Sequence, residues 1–121
     1  MKSSQSSEDY LKTILILSKR LPVVRSVDIA NELGYKKCSI SIAMSKLLDR
    51  GYITITYSGF ISLTEEGKSL AEKINERHTI FTEFLVSLGV AHDIAEKDAC
   101  RLEHAISDES FVAFKRFWLN Q

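Results

Sequence analysis

The chain has 121 residues, 45% apolar and 26% charged, with one proline and five glycines; this excludes a disordered or collagen-like chain and leaves too little length for most two-domain enzymes. Sixteen Lys and Arg balance sixteen Asp and Glu, so the net charge singles out no partner, but residues 1–70 hold ten basic against seven acidic side chains and residues 71–121 six against nine. A phosphate-binding face is therefore sought in the front half and a cation site in the back half.

Residues 1–7 form a polar, Ser-rich lead. Glu8 and Asp9 then open a segment with apolar residues at 10, 11, 14, 15, 16 and 17, which predicts a helix to about Lys19 that stops before Pro22. S-V-D-I-A-N-E-L follows, with Ser26 as the expected N-cap and Gly34 as the stop, a helix of two turns. Ile40, Ala43, Met44, Leu47 and Leu48 mark the inward face of the next helix, which ends at Arg50-Gly51. Two short helices joined by a tight Gly-containing turn are a helix-turn-helix in sequence form.

At Tyr52 the period changes from helical to alternating. Residues 52–57, the turn Ser58-Gly59 and residues 60–63 predict a two-stranded hairpin, a wing. Thr64 then caps a helix of about 25 residues, ~37 Å long at 1.5 Å per residue, which is more than a small winged domain needs. Two more helices are expected, over residues 92–106 and from Glu109 to about Leu119, the second capped by Ser107 or Asp108. Phe111, Phe114, Phe117 and Trp118, with Val112, crowd the last helix, which points to a two-fold dimer interface; the alternative is the monomer's own core. The fold class expected is mainly α: a winged helix-turn-helix DNA-binding domain, residues 1–72, followed by an all-α dimerisation and metal-binding domain, residues 73–121.

The helix after Gly34 begins with Lys36 and Lys37 and presents Ser39, Ser41, Ile42 and Lys46 outward. Short hydroxyl donors suit base edges and phosphates, Lys suits the backbone, and an outward Ile42 suits a thymine methyl. Ser26, Arg50 and the wing residue Tyr57 are candidates for flanking contacts. A solvated helix face is the plain alternative for such a patch. The order of helix, Gly turn, helix and wing makes double-stranded DNA the better reading.

Cys100, Glu103 and His104 stand at i, i+3 and i+4, on one helical face, with Glu96 a turn earlier on the same stripe. Sulfur, oxygen and nitrogen donors together suit a divalent transition metal rather than Ca²⁺ or Mg²⁺. His78 and Asp9 complete a site if the fold brings them close. A buried Cys beside a surface Glu and His is the plain alternative, and a thiol enzyme finds no oxyanion pocket in the sequence. His92 has no assignable partner. With no run of 18 apolar residues and no signal-type lead, the expectation is a soluble, cytoplasmic protein, not an enzyme, with no membrane partner and no small-molecule substrate; Cys38 and Cys100 are not expected to form a disulfide.

The stretches S-E-D-Y-L-K-T-I, V-D-I-A-N-E-L, K-C-S-I-S-I-A-M-S-K-L-L-D-R-G-Y-I, L-T-E-E-G-K-S-L-A, R-H-T-I-F-T-E-F-L and A-C-R-L-E-H-A-I-S-D-E resemble the diphtheria toxin repressor family of metal-dependent transcriptional regulators, including its manganese transport regulator branch, over nearly the whole chain. The resemblance implies a homodimeric winged-helix repressor of metal uptake genes that binds palindromic operators when Mn²⁺ or Fe²⁺ is bound, with Zn²⁺ a further candidate. Carried over residue by residue, it assigns Asp9, Cys100, Glu103 and His104 to the main regulatory site and His78 with Glu96 to a second. Asp9 is the manganese branch's residue and Cys100 the iron branch's. Lys12 stands where the manganese branch has a carboxylate, and Thr82 where a Glu often follows His78 by one turn. A short form without the family's SH3-like third domain is expected. The alternative is a winged-helix regulator with a degenerate metal site, independent of metal or answering another signal.

Overall fold

A computed structural model describes the backbone of residues 2–121 and the side chains from Ser7 onward. Six helices and one two-stranded sheet follow in the order α1 (Lys2–Arg20), α2 (Ser26–Leu33), α3 (Lys37–Asp49), β1 (Ile53–Ile55), β2 (Ile61–Leu63), α4 (Glu65–Ser87), α5 (His92–Ala105) and α6 (Asp108–Leu119). The chain divides into two compact units, Met1–Glu72 and Lys73–Gln121, so the boundary falls within α4. Among the described residues no helix is long and apolar enough to cross a membrane.

The first unit is a winged helix-turn-helix. α1 contributes Leu11, Ile14, Leu15 and Leu17 to its core, α2 Ile29 and Ala30, α3 Ile40, Met44 and Leu47, and the strands Ile53 and Ile61. Each fully buried Leu, Ile or Met side chain stabilises the unit by roughly 1.5–3 kcal/mol. α1 starts well before Glu8, where the apolar pattern begins: residues 2–7 hold no Gly or Pro, so nothing stops the helix from extending past its buried stripe. Ser26 is the first residue of α2 rather than its cap. Arg25 holds the cap position, and its N–H donates to Asp28 Oδ2 at 2.9 Å. Gly34 at φ 71 closes α2, its N–H bonding Ala30 O at 2.8 Å, a left-handed geometry that suits glycine. On α3, Leu48 is exposed rather than inward, at 44%.

β1 and β2 are shorter than the alternating stretches around them and pair antiparallel, Ile53 with Leu63, Thr54 with Ser62 and Ile55 with Ile61. Ile61 N–H also donates to Val24 O at 2.7 Å, and the Arg25 guanidinium lies 4.8 Å over the Phe60 ring, so the wing is tied to the entrance of α2. Its far end is tied to α4. Thr64 N–H donates to Tyr52 O at 3.0 Å, Thr64 Oγ1 donates to Gly51 O at 2.7 Å, and Gly67 N–H donates to Thr64 Oγ1 at 3.1 Å. Gly67 passes so close to Tyr52 that a Cβ there would lie 2.0 Å from its carbonyl oxygen.

In the second unit the C-terminal part of α4 packs with α5 and α6 around Ile80, Phe81, Ala99 and Phe111, joined by the half-buried Ile106, Phe114 and Trp118. The rings interlock: Phe81 and Phe111 centroids are 5.7 Å apart, Phe81 and Phe114 5.1 Å, Phe84 and Phe114 5.0 Å, Phe84 and Trp118 5.4 Å. Such contacts favour tilted and edge-to-face rings. Phe111, expected at a dimer interface, is 4% exposed in the single chain and belongs to its own core. Phe117 and Val112 are the outward residues, at 63% and 52%. A polar seam flanks the rings, with Lys73 and Arg77 on Asp108 and Lys115 on Glu76. Ser107 Oγ accepts from Ser110 N–H at 3.1 Å and caps α6.

Candidate metal centre and nucleic-acid interface

α5 presents Glu96, Cys100, Glu103 and His104 at helical spacing, and α4 brings His78 against them. His78 Nδ1 lies 2.9 Å from Glu103 Oε1 and 3.8 Å from Cys100 Sγ. The three donor atoms all fall within 4.8 Å of one another. Coordination bonds of about 2.0–2.3 Å put neighbouring donors roughly 3–4 Å apart, so this trio has the spacing and the mixed N, S and O chemistry of a transition-metal site. Glu103 is fully buried, and a buried carboxylate requires charged or hydrogen-bonding neighbours. It has an imidazole on each side, since Oε2 lies 3.4 Å from His104 Nε2. Further out, His78 Nε2 is 3.8 Å from Glu96 Oε2, and Glu96 Oε1 is 3.5 Å from His92 Nδ1. His92, for which the sequence offered no partner, thus ends an alternating row of imidazoles and carboxylates. Thr82 is buried and donates its hydroxyl back to His78 O at 2.7 Å, the usual way a mid-helix Thr satisfies itself. Asp9 is half-buried on α1 of the first unit, where its main-chain oxygen accepts from Thr13 Oγ1 at 2.8 Å.

On the first unit, Lys36, Lys37, Ser39, Ser41, Ile42 and Lys46 are all exposed along α3, and Arg50 follows at its end. Tyr57 is fully exposed in the wing turn, while Ser26 is half-buried at the start of α2. A groove of about 420 Å³ runs beside α3, lined by Ser7, Tyr10, Ser39, Ile42, Ala43, Lys46 and Arg50. Arg50 Nη1 donates to Ser7 Oγ at 3.2 Å there. The Tyr10 phenol packs edge-on against Tyr35 at 6.3 Å, and burial, then Tyr35 and Asp9, push its pKa above the usual value.

Ser7 and Tyr10 in the groove beside α3, Arg25 at the start of α2 and Arg77 beside the metal donors had no functional role assigned from the sequence. Arg77 carried a readable signal. It falls three residues after Ile74 and four before Phe81, on the apolar stripe of α4, where a charge needs a buried partner.

Residues 2–59 match the N-terminal DNA-binding domain of iron-dependent repressors, and residues 64–119 match the metal-binding and dimerisation domain of the same repressors. The chain is 36% identical to the transcriptional regulator MntR of Escherichia coli O157:H7 over 110 residues, 91% of this chain and 71% of that protein. It is 36% identical over 116 residues to an HTH-type transcriptional regulator of Methanocaldococcus jannaschii, 94% of this chain and 93% of that protein. A solved manganese-dependent transcriptional repressor in complex with manganese superposes with a TM-score of 0.83 at 28% identity, over 93% of this chain and 52% of that one. ScaR with bound Zn²⁺ gives 0.77 at 25% identity, over 92% and 52%. The chain spans about half the length of these solved structures. On the matched domains and the identity to MntR, the chain belongs to the iron-dependent repressor family.

Proposed function

We propose that this chain is a metal-dependent transcriptional repressor that binds operator DNA as a homodimer and controls metal uptake genes in the cytoplasm. The observation that carries the reading is the cluster of His78, Cys100 and Glu103, a mixed donor set gathered on two helices. In this reading residues 1–72 read DNA and residues 73–121 bind the metal and dimerise. His78, Cys100 and Glu103 hold a cation, with Glu96 beside His78, and the family pattern assigns Asp9, Cys100, Glu103 and His104 to the main site and His78 with Glu96 to a second. A bound divalent cation supplies positive charge and fixed ligand directions. Mn²⁺ and Fe²⁺ are the proposed cofactors: the similar manganese-dependent repressor, solved with manganese, favours Mn²⁺, and the soft sulfur of Cys100 favours iron or Zn²⁺.

Lys36, Lys37, Lys46 and Arg50 are proposed to meet phosphates, and Ser39, Ser41 and Ile42 base edges, with Ser26 and Tyr57 at the flanks. Phe117 and Trp118 are proposed at or beside the dimer interface, with the exposed Phe117 outermost, while Phe114, also expected there, is assigned to the aromatic core beside Phe81 and Phe84. A cation activates DNA binding only by favouring the DNA-competent arrangement, and ~3 kcal/mol of such preference is about a 100-fold gain in operator affinity. The test is a gel shift on a palindromic duplex selected with Mn²⁺ present, repeated with a chelator. A loss of about 100-fold supports activation by metal; equal affinity in both supports the metal-independent alternative.

A further inference from the structure

We propose that Arg77 is a positioning residue for the metal centre: its buried guanidinium fixes the end of α5, and with it the Glu103 carboxylate, against the turn of α4 that presents His78. The inference rests on the proposed metal site. The Arg77 side chain is 5% exposed. Nη1 donates to Glu103 O at 3.2 Å and to Ile106 O at 2.8 Å, and Nη2 donates to Asp108 Oδ1. One rigid fork therefore spans the last turn of α5, the connection and the first turn of α6. The last carbonyls of a helix lack partners within it and favour a nearby cation, so the fork binds where the backbone needs a donor.

Glu103 is tied to adjacent residues of α4 at both ends of its own structure. Its main-chain oxygen is held by Arg77 and its carboxylate faces His78. Arg77 and His78 are neighbours in sequence, so a shift of α5 along α4 must break both ties together. Donor atoms need placement within about 0.5 Å of the productive geometry, which a single imidazole contact between two helices does not enforce.

Arg77 is a poor choice for stability alone. Nε is buried with no hydrogen-bond partner, and replacing a buried ion pair by apolar residues is often neutral or stabilising. An apolar side chain would continue the stripe of Ile74 and Phe81 and pack on Phe111, over which the guanidinium now lies at 5.2 Å. Lysine is no substitute, because a flexible point charge does not hold three acceptors in the directions of a planar fork.

The experiment uses the full chain as wild type, Arg77→Lys, Asp108→Asn and Phe114→Leu. Phe114→Leu loosens the same unit through its aromatic cluster and leaves the guanidinium alone. Stability is measured by urea unfolding with chelator present. Metal binding is read by Mn²⁺ affinity and by the Co²⁺ absorption bands, including the thiolate-to-metal charge transfer expected of Cys100. Partners that orient ligands are worth about 10–100-fold in metal affinity, so Arg77→Lys should lose at least tenfold with an altered Co²⁺ spectrum. Asp108→Asn, which releases one tie and stays folded if Arg77→Lys does not, should lose less in the same direction. Phe114→Leu should lose stability with wild-type affinity and spectrum. Wild-type affinity in folded Arg77→Lys, or in Asp108→Asn where only that variant folds, overturns the positioning role. So does an equal loss in Phe114→Leu at equal stability. Absence of metal binding in the wild type overturns the metal centre itself, which is a different failure.

Discussion

Gly67→Ala tests how the wing is anchored. The added Cβ would lie 2.0 Å from Tyr52 O and 2.9 Å from its carbonyl carbon, where ordinary contact begins near 3.4 Å. Relief requires the Tyr52 peptide or the first turn of α4 to move by more than 1 Å, since both atoms belong to backbone. Such overpacking costs typically 1–3 kcal/mol. The movement also disrupts the Thr64 N–H bond to Tyr52 O, worth about 1 kcal/mol. Alanine recovers up to about 1 kcal/mol as the better helix former. The net expectation is a loss of about 2 kcal/mol, or roughly 8 °C in Tm for a chain of this size. Urea unfolding at fixed pH with chelator measures it, with Glu66→Ala on the exposed neighbouring position as control. Because the wing moves with Tyr52, operator affinity should fall while metal affinity stays. Wild-type stability with an unchanged urea slope would refute the close approach.

Lys37→Ala and Lys46→Ala should each weaken DNA binding across sequences and lower the salt slope by about one if each touches a phosphate; unchanged slopes place these side chains off the DNA. Asp108 is held below the ordinary carboxylate range chiefly by its hydrogen bond to Lys73, with Arg77 adding to it. Its contribution is therefore present above the ordinary Asp pKa and lost as pH falls through the lower folded value. Asp108→Asn should reduce the acid-side fall in stability below about pH 4, and an unchanged acid limb would contradict the pairing. Phe117→Asp, placed on an exposed ring rather than on the core rings of Phe111 or Phe114, should yield a folded monomer by light scattering; an intact dimer moves the interface elsewhere.

The order of elements in the front half was legible because its signals are local. Gly34 stops α2, the period changes at Tyr52, and Thr64 offers its hydroxyl to a helix start. Caps and ends were harder. The first turn of α1 has no apolar stripe to mark it, and the α2 cap depends on an acceptor three residues on, Asp28, rather than on the Ser expected. The aromatic run of α6 was readable as crowded but not as sorted. Which rings face inward depends on Phe81 and Phe84, some 30 residues away in sequence, and the helical step then separates Phe111, Phe114 and Trp118 from Phe117. The Cys100, Glu103 and His104 stripe was visible as helical spacing. Its approach to His78 was not, because no spacing rule links two helices; the sequence offered His78 only as a ligand that the fold would have to bring close. His92 became meaningful only once Glu96 had a position in space, and Arg77, legible as a charge on an apolar stripe, gained its partners only with the end of α5.

The most direct test of the account is operator affinity titrated with Mn²⁺, Fe²⁺ and Zn²⁺ separately on the wild type and on Glu103→Ala, with bound metal counted on the same samples. At least one of these ions should raise wild-type affinity about 100-fold as it fills the site, and folded Glu103→Ala should neither retain the ion nor gain affinity. Full affinity in metal-free wild type, or metal-driven gain without Glu103, would contradict it.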